Sequence, residues 1–323
     1  MTPTRSGLGP IAYAFPAATR SVRELEAAGL LESDAGALMQ LGFGSVHVAF
    51  EETPFDLACE AAARVIERAA VPTESIGLLI YSGAPTAAAF ATAPSDDQAA
   101  AALRAGDRFK FPATRLQHAL ELDAASVIGV EQLACTGLFA AVRLARSLCA
   151  SEGVERALCV SSEFFPADLG REAVYNCTSD AACAVLVERA PVRNRIASIV
   201  HITKGYYWDA DALRNELIAS YFPTARHAID RAIREAGWTP SDVDWVIPHN
   251  VSARSWEILM GLVRLPRARL WMRNIARDGH TLAGDNFINL ADAMEAGDVR
   301  SGHRVLLFSF GYGAHWSAMT LEV

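Results

Sequence analysis

The strongest constraint on the fold of this chain is that it repeats itself. Residues 63–80 (ARVIERAAVPTESIGLLI) resemble residues 230–247 (DRAIREAGWTPSDVDWVI), with Ile66 matching Ile233 and Ile80 matching Ile247, each 167 positions further on. Both copies carry apolar residues at helical spacing, then a short polar turn, then an apolar run of strand length. A fainter echo sets VERALCVS (154–161) and ACAVLVE (182–188) beside GHRVLLFS (302–309) and SAMTLE (317–322). Each reads as a strand, a turn and a returning strand. A period of about half the chain predicts two βαβ-rich halves, each with a sheet buried between helices. The divide is expected near residue 190, at ERAPVRN, giving halves 1–190 and 191–323. Residues 84–125 read as an elaborated insert, with AAAFATAPSDDQAA its least structured part.

Composition narrows what such a chain can do. It is 51% hydrophobic and 20% charged, an ordinary globular balance. No apolar run approaches the ~18 residues of a membrane span, and MTPTRSGLGP lacks the basic start and apolar core of a secretion signal, so a cytoplasmic protein is expected. A net charge of −8 argues against nucleic acid or an anionic membrane as partner. The six cysteines (59, 135, 149, 159, 177, 183) form no CxxC pair and read as reduced thiols, so no disulfide framework, metal site or cofactor is expected. Lys110 and Lys204 are the only lysines, which leaves little support for Schiff-base chemistry.

Four features interrupt the helix-and-strand pattern. In GVEQLACTGLFAAVRLARSL (129–148) a strand leads to Cys135, and Thr136-Gly137 opens a helix with Leu138, Ala141, Leu144 and Leu148 on its apolar face. A cysteine at a helix N-terminus meets unpaired N–H groups and the positive end of the dipole, which favours thiolate. A small buried hydrophobe would account for it equally. The strand 243–248 ends at His249-Asn250, the edge where α/β sheets place ligands. The loop RDGHTLAGDNFIN (277–289) carries His280, Asp285 and Asn286 before a helix, and there Asp285 reads equally well as an N-cap. Finally, SFGYGAHWS (309–317) is a glycine-interrupted turn after a strand, whose backbone N–H groups could face a ligand.

Taken together, ACTGLFAA, the PHNxxxR run, the GHTxxxD loop and the FGYGAHWSA ending resemble the β-ketoacyl-acyl carrier protein synthase III family of the thiolase-like superfamily, over essentially the whole chain. The resemblance implies a thiolase-like fold of two duplicated halves in an α/β/α/β/α layering, and a homodimer. It implies Cys135 as the acylated nucleophile and His249 as a catalytic partner. Arg254 would face an acyl carrier protein, and the Cys135 and Gly313 N–H groups would form the oxyanion hole. Two preorganised donors suit the tetrahedral intermediate of thioester exchange, each worth roughly 3–4 kcal/mol. Covalent capture then divides the transfer into two easier steps.

Departures from the family pattern carry information too. His280 stands where the family has the asparagine of a GNT motif, as in the Cys-His-His set of elongating synthases. Two neutral imidazoles, His249 and His280, could then hold the enolate formed when a malonyl thioester loses CO2. Asp285 opens another course, in which it orients His249 to deprotonate an alcohol or amine, with no carbon–carbon bond formed. LGFGSVHV (41–48) lacks the tryptophan and arginine that clamp coenzyme A in the family. Six arginines (254, 264, 267, 269, 273, 277) against one acid, Glu257, suit an acidic carrier protein, with Arg254, Arg264 and Arg267 as contacts. A solvated helix face is the plainer reading of that run. Residues 87–91 (AAAFA) and 109–112 (FKFP) lie where the family lines its acyl pocket.

The leading expectation is therefore a ketosynthase III-type acyltransferase. It takes an acyl group from a thioester, carrier protein favoured over coenzyme A, and condenses it with a malonyl thioester in a polyketide, secondary-metabolite or fatty-acid pathway. The alternatives are O- or N-acyl transfer by Cys135, His249 and Asp285, a non-catalytic partner subunit of an active ketosynthase, and a cysteine hydrolase.

Overall fold

A computed structural model describes residues 6–83, 110–165, 169–190, 193–210 and 212–323. The first half begins with β1 (Gly7–Ala14). The short pair β2 (Thr19–Ser21) and β3 (Ser45–His47) then encloses α1 (Val22–Ala27) and α2 (Ala35–Gln40). After these come α3 (Pro54–Ala69), β4 (Ile76–Gly83), α4 (Pro112–Ala119), β5 (Ser126–Val130), α5 (Gly137–Ser151) and β6 (Arg156–Glu163). The short pair β7 (Glu172–Ala173) and β8 (Asn176–Cys177) precedes β9 (Ala181–Glu188). The second half runs β10 (Arg195–Thr203), α6 (Arg214–Glu235), β11 (Trp245–Pro248), α7 (Ala253–Leu262), α8 (Ile275–Asp278), α9 (Asp285–Glu295), β12 (Arg304–Gly311) and β13 (His315–Glu322).

The strands form one sheet in the order β11-β12-β13-β10-β1-β9-β6-β4-β5, with β1 and β10 joined through a single register pair, Gly7 and Arg195. On either side of that seam the pattern is the same. β4 runs parallel to β6, which is antiparallel to β9, which is antiparallel to β1. β11, β12, β13 and β10 repeat those directions in that order. The internal repeat read from the sequence thus maps β4 onto β11, β6 onto β12 and β9 onto β13. The edge strand β5 is answered in the second half by one bridge, Val246 to Leu270.

Alternation along the strands explains the layering. In β6, Ala157 and Cys159 face a central core with α5 and α9, while Leu158 and Val160 face α3 and α4. In β12, Val305 and Leu307 face the same centre, while Leu306 and Phe308 face α6 and α7. Strands apolar on both faces must be covered on both, which gives the expected α/β/α/β/α stack. α3 is started by Pro54 at its first position and a capping box between Thr53 and Asp56.

α5 is more widely buried than its predicted stripe. Phe139, Val142, Ala145 and Cys149 join Leu138 and Ala141 in the core, and Leu144 and Leu148 sit at its margin. The helix touches both halves, and the Phe139 ring meets Phe287 of α9 at 5.3 Å. Asp285 is the first residue of α9, so it is not the cap. The insert expectation for residues 84–109, including residues 87–91 and Phe109, lies outside the described residues. Among the described residues, no helix is long and apolar enough to cross a membrane, and no group of three or more His, Cys, Asp or Glu is placed to hold a metal.

Candidate active site

The approach to Cys135 is a tight 3-10 turn, Ala134–Thr136, between β5 and α5. Gln132 (φ 67°) and Ala134 (φ 44°) occupy the left-handed region, an uncommon and costly conformation for residues with a Cβ. The second half contains the matching turn, Leu282–Gly284 ahead of α9, and Leu282 (φ 54°) takes the same conformation as Ala134. The two turns touch: a Cβ placed on Gly137 would lie 3.8 Å from Ala283 Cβ and only 2.1 Å from Ser82 Oγ of β4. Two repeat-related helix N-termini therefore meet at the centre of the molecule, one carrying a cysteine and the other following a histidine.

His280 is held by its own backbone. Its N–H donates to Cys177 O (2.8 Å) and its carbonyl accepts from Ser179 N–H (2.9 Å). Gly279 makes this possible. At φ 61° it takes a conformation that side chains resist, and a Cβ there would sit 2.8 Å from Val46 Cγ1 and 2.9 Å from Cys177 O.

The ring of His280 bridges two groups. Nε2 lies 3.2 Å from Cys135 Sγ, and Nδ1 lies 2.5 Å from Asp285 Oδ2. Asp285 is saturated with donors: Oδ1 accepts from Thr281 N (2.6 Å) and Oγ1 (2.7 Å), and Oδ2 also accepts from Asn250 N (2.5 Å). Burial opposes a charge on His280, but the Asp285 carboxylate and the Cys135 sulfur outweigh it and hold its pKa well above the usual imidazole range. An imidazolium donating to sulfur is the arrangement in which a cysteine attacks as thiolate.

His249 stands apart from this line. It follows β11, fully buried, with its ring edge-on to Trp256, Phe308 and His280, the last at 6.3 Å between centroids. Neither ring nitrogen makes a hydrogen bond. Burial pushes its pKa down to about 3, the charge on His280 adds to the effect, and Asp285 and the Phe308 carbonyl only partly offset it. His249 is a neutral imidazole with both nitrogens buried. Asn286 and Asn289 of α9 pin the strand ends around it, through Ile247 O, Phe308 O and Pro248 O at 2.9 Å each.

Several sequence expectations are rearranged by this geometry. Asp285 orients His280, not His249, because the turn between them folds the carboxylate back over five residues. His280 is charged where a pair of neutral imidazoles was expected. The glycine against Cys135 is Gly311, not Gly313: a Cβ on Gly311 would lie 2.4 Å from Leu133 O and 3.4 Å from Cys135 N. Gly313 (φ 105°) turns the β12–β13 connection, and nothing but the His315 ring lies within 4 Å of where its Cβ would be. Ser309, two residues earlier on the same face of β12, donates to Cys135 O at 3.0 Å.

One site residue has no sequence motif. Glu163 ends β6, is 8% exposed, and burial raises its carboxyl to about 8 even though His280 pulls the other way. The available signal is an acid closing an otherwise apolar strand, which reads more simply as the strand emerging into solvent.

The arginine run divides. Arg254 and Arg267 project outward, with Glu257 between them at 3.3 and 2.6 Å, and Arg264 is exposed. Arg269 turns inward onto the carbonyls of Pro240 and Ser241 (3.3 and 3.0 Å), and Arg277 is engaged by Asp278 and Asp292 at 2.8 Å. The LGFGSVHV segment is folded against α8: Ser45 donates to Arg277 O (2.7 Å), and a Cβ on Gly44 would lie 2.5 Å from Ala276 O.

Comparison with known proteins places this geometry in context. Residues 131–205 match the model of the family described as 3-oxoacyl-[acyl-carrier-protein] synthase III, and residues 233–323 match that of its C-terminal part; the two together cover just over half of the chain. A β-ketoacyl-[acyl-carrier-protein] synthase III of Rhizorhabdus wittichii is 27% identical over 324 residues, covering 94% of this chain and 95% of that one. The crystal structure of the 3-oxoacyl-[acyl-carrier-protein] synthase III of Aquifex aeolicus superposes with a TM-score of 0.82 at 22% identity, over 98% of this chain and all of that one. An acyltransferase named ChlB3 superposes at 0.83 and 20% identity, over 99% and 98%. The shared architecture is the thiolase-like one.

Proposed function

The chain belongs to the 3-oxoacyl-[acyl-carrier-protein] synthase III family and is an acyl-transferring enzyme, and within that family we propose that it passes its acyl group to an alcohol or amine through Cys135, His280 and Asp285. The observation that carries this reading is the single line of contacts from Sγ through the His280 ring to Asp285, 3.2 and 2.5 Å long. The Cys135 thiolate attacks the donor thioester carbonyl. As the tetrahedral intermediate collapses, the departing thiolate takes the proton from His280, leaving an acyl-enzyme and a neutral imidazole. His280 then removes the proton of the acceptor as its oxygen or nitrogen attacks the acyl carbon. Collapse expels the Cys135 thiolate and restores the charged pair. Asp285 holds the ring in one orientation and supports its charge in both steps.

The negative oxygen of each intermediate requires N–H donors. The backbone around Cys135 and the close approach of β12 at Gly311 support an oxyanion site there. A carrier-protein donor suits Arg254, Arg264 and Arg267, which project from an acidic molecule beyond His249. The decarboxylating alternative draws support from His249, a neutral ring with neither nitrogen hydrogen-bonded. It is disfavoured by Asp285 behind the His280 ring: held by Nδ1–H to that carboxylate, the ring that has given up its proton presents a lone pair at Nε2 and no donor to an enolate.

The test is intact-protein mass after incubation with acyl-carrier and acyl-coenzyme A thioesters, with Cys135→Ala as control. A panel of alcohols, amines and malonyl thioester then follows. One acyl mass on the wild type, discharged by an alcohol or amine without CO2 release, is the expected result. Discharge only by malonyl thioester, with CO2, would replace this reading by condensation. No adduct from any donor would favour a non-catalytic partner subunit.

A further inference from the structure

Glu163, like His249, is a buried titratable side chain near the site that the acyl-transfer steps do not use. Its position follows from the pseudo-symmetry. β6 (RALCVSSE) and β12 (RVLLFSFG) are repeat-related strands of equal length, so Glu163 is the counterpart of Gly311. Gly311 lies against the Cys135 turn, and β6, which Glu163 ends, packs correspondingly against the Leu282–Gly284 turn that links His280 to Asp285. Alternation gives the same answer. Ala157 and Cys159 of β6 face the central layer, and Glu163 continues that face. Its partner on β9 is Ala181, two residues beyond the Ser179 that holds the His280 carbonyl.

Among the described residues no hydrogen bond to the Glu163 carboxyl is formed. The groups acting on it are His280, from the turn, and Tyr81, from β4, whose own titration burial raises far above the working range. On the β9 side, Asp180 is neutralised by Arg171 at 2.7 and 3.0 Å. His249, which precedes the arginine-bearing helix α7, lies on another side of His280, edge-on to its ring at 6.3 Å. An acyl chain carried on Cys135, whose sulfur touches His280, and running along the β6 side of that ring meets Glu163 at the strand end.

We propose that Glu163 is a specificity-determining residue, whose uncharged carboxyl donates a hydrogen bond to an oxygen carried on the acyl chain held by Cys135. The favoured donors are then thioesters of oxygenated acids over plain alkyl acids. A carboxyl offers an O–H donor below its pKa and becomes an acceptor alone above it. With that pKa raised to about 8, the donor form is the one present at neutral pH. A buried donor left without its partner discriminates strongly, so a tenfold or larger preference is expected.

The inference rests on the acyl-enzyme reading, and the experiment separates the two. Rates of Cys135 acylation by the N-acetylcysteamine thioesters of 3-methoxypropanoic and pentanoic acids, chains of equal length differing by one ether oxygen, are measured by intact mass. Wild type should prefer the methoxy chain roughly tenfold at pH 6.5 and lose most of that preference at pH 9.5. Glu163→Gln, which keeps a donor that does not titrate, should hold the preference at both pH values. Glu163→Leu should lose it at both. Equal rates for the two chains in wild type, or a preference that survives in Glu163→Leu, overturns the assignment of Glu163 alone. If Glu163→Leu fails to fold, loss of the pH dependence in Glu163→Gln decides the matter. No adduct from either thioester overturns the acyl-enzyme reading beneath it.

Discussion

Oδ2 of Asp285 lies 2.5 Å from Nδ1 of His280 and also 2.5 Å from the backbone N–H of Asn250, the residue after His249. One carboxylate thus orients the histidine in contact with Cys135 and anchors the chain that carries the other. The two histidines have opposite electrostatic fates because of it. His280 shares a strong hydrogen bond with the carboxylate and stays charged, while His249 receives only its distant field and stays neutral.

Replacing Asp285 by Asn puts an amide where a fully engaged carboxylate stood. Its NH2 group must face either a backbone N–H or the ring. Transfer from preformed acyl-enzyme to an alcohol should slow by roughly 10²–10⁴-fold, measured in single turnovers. His280→Asn, which removes the base itself, should slow it at least as much. An Asp285→Asn enzyme that transfers at the wild-type rate would remove Asp285 from the reaction.

The two glycines beside Cys135 should respond differently to a methyl group. At Gly311 the obstruction is a backbone carbonyl, Leu133 O at 2.4 Å, which cannot move without displacing Cys135. Gly311→Ala should cut acylation by at least tenfold with no single-residue rescue, since even a small misplacement of reacting groups is expensive. At Gly137 the obstruction is the Ser82 hydroxyl at 2.1 Å. Gly137→Ala should lower Tm, and Ser82→Ala in the same chain should recover most of the loss. Failure of that rescue in thermal melts would mean that the helix start is blocked by something other than Ser82.

Glu163 should make the protein less stable as pH rises. Its carboxyl titrates near 4.5 when unfolded and near 8 when folded, so between those values the folded state holds a proton that the unfolded state has released. Stability from this group is full below about pH 4.5 and lost progressively up to about pH 8. Glu163→Gln escapes the penalty, gaining up to about 4 kcal/mol over wild type by pH 8 and little at pH 5. Melting curves from pH 5 to 9 check this, and parallel profiles for the two proteins would show that Glu163 is charged in the folded state.

The outward arginines should matter for a carrier-bound donor alone. Arg254→Ala with Arg267→Ala should raise KM for an acyl-carrier thioester several-fold and weaken its salt dependence, because rim charges act mainly on encounter. Acylation by a small thioester should be unchanged. An equal loss with both donors would assign these side chains to the fold instead.

The duplication is legible in the sequence because strands buried on both faces must be apolar throughout, and such runs repeat visibly at β6 and β12. The places of Cys135, His280 and Asp285 are legible for a local reason: a cysteine before a helix, and a histidine and an acid five residues apart around a glycine-bearing turn. Tertiary structure decided which groups meet. His280 reaches the sulfur and His249 does not because the turn before α9 abuts the turn before α5 across the pseudo-symmetric centre, a contact that no local pattern encodes. Gly311 rather than Gly313 faces Cys135 because β12 runs two residues further before it turns, and a strand's register is set by its neighbours. Glu163 looks like a strand end meeting water until that end is buried beside His280, and its uncharged state follows from burial that only the packed halves create.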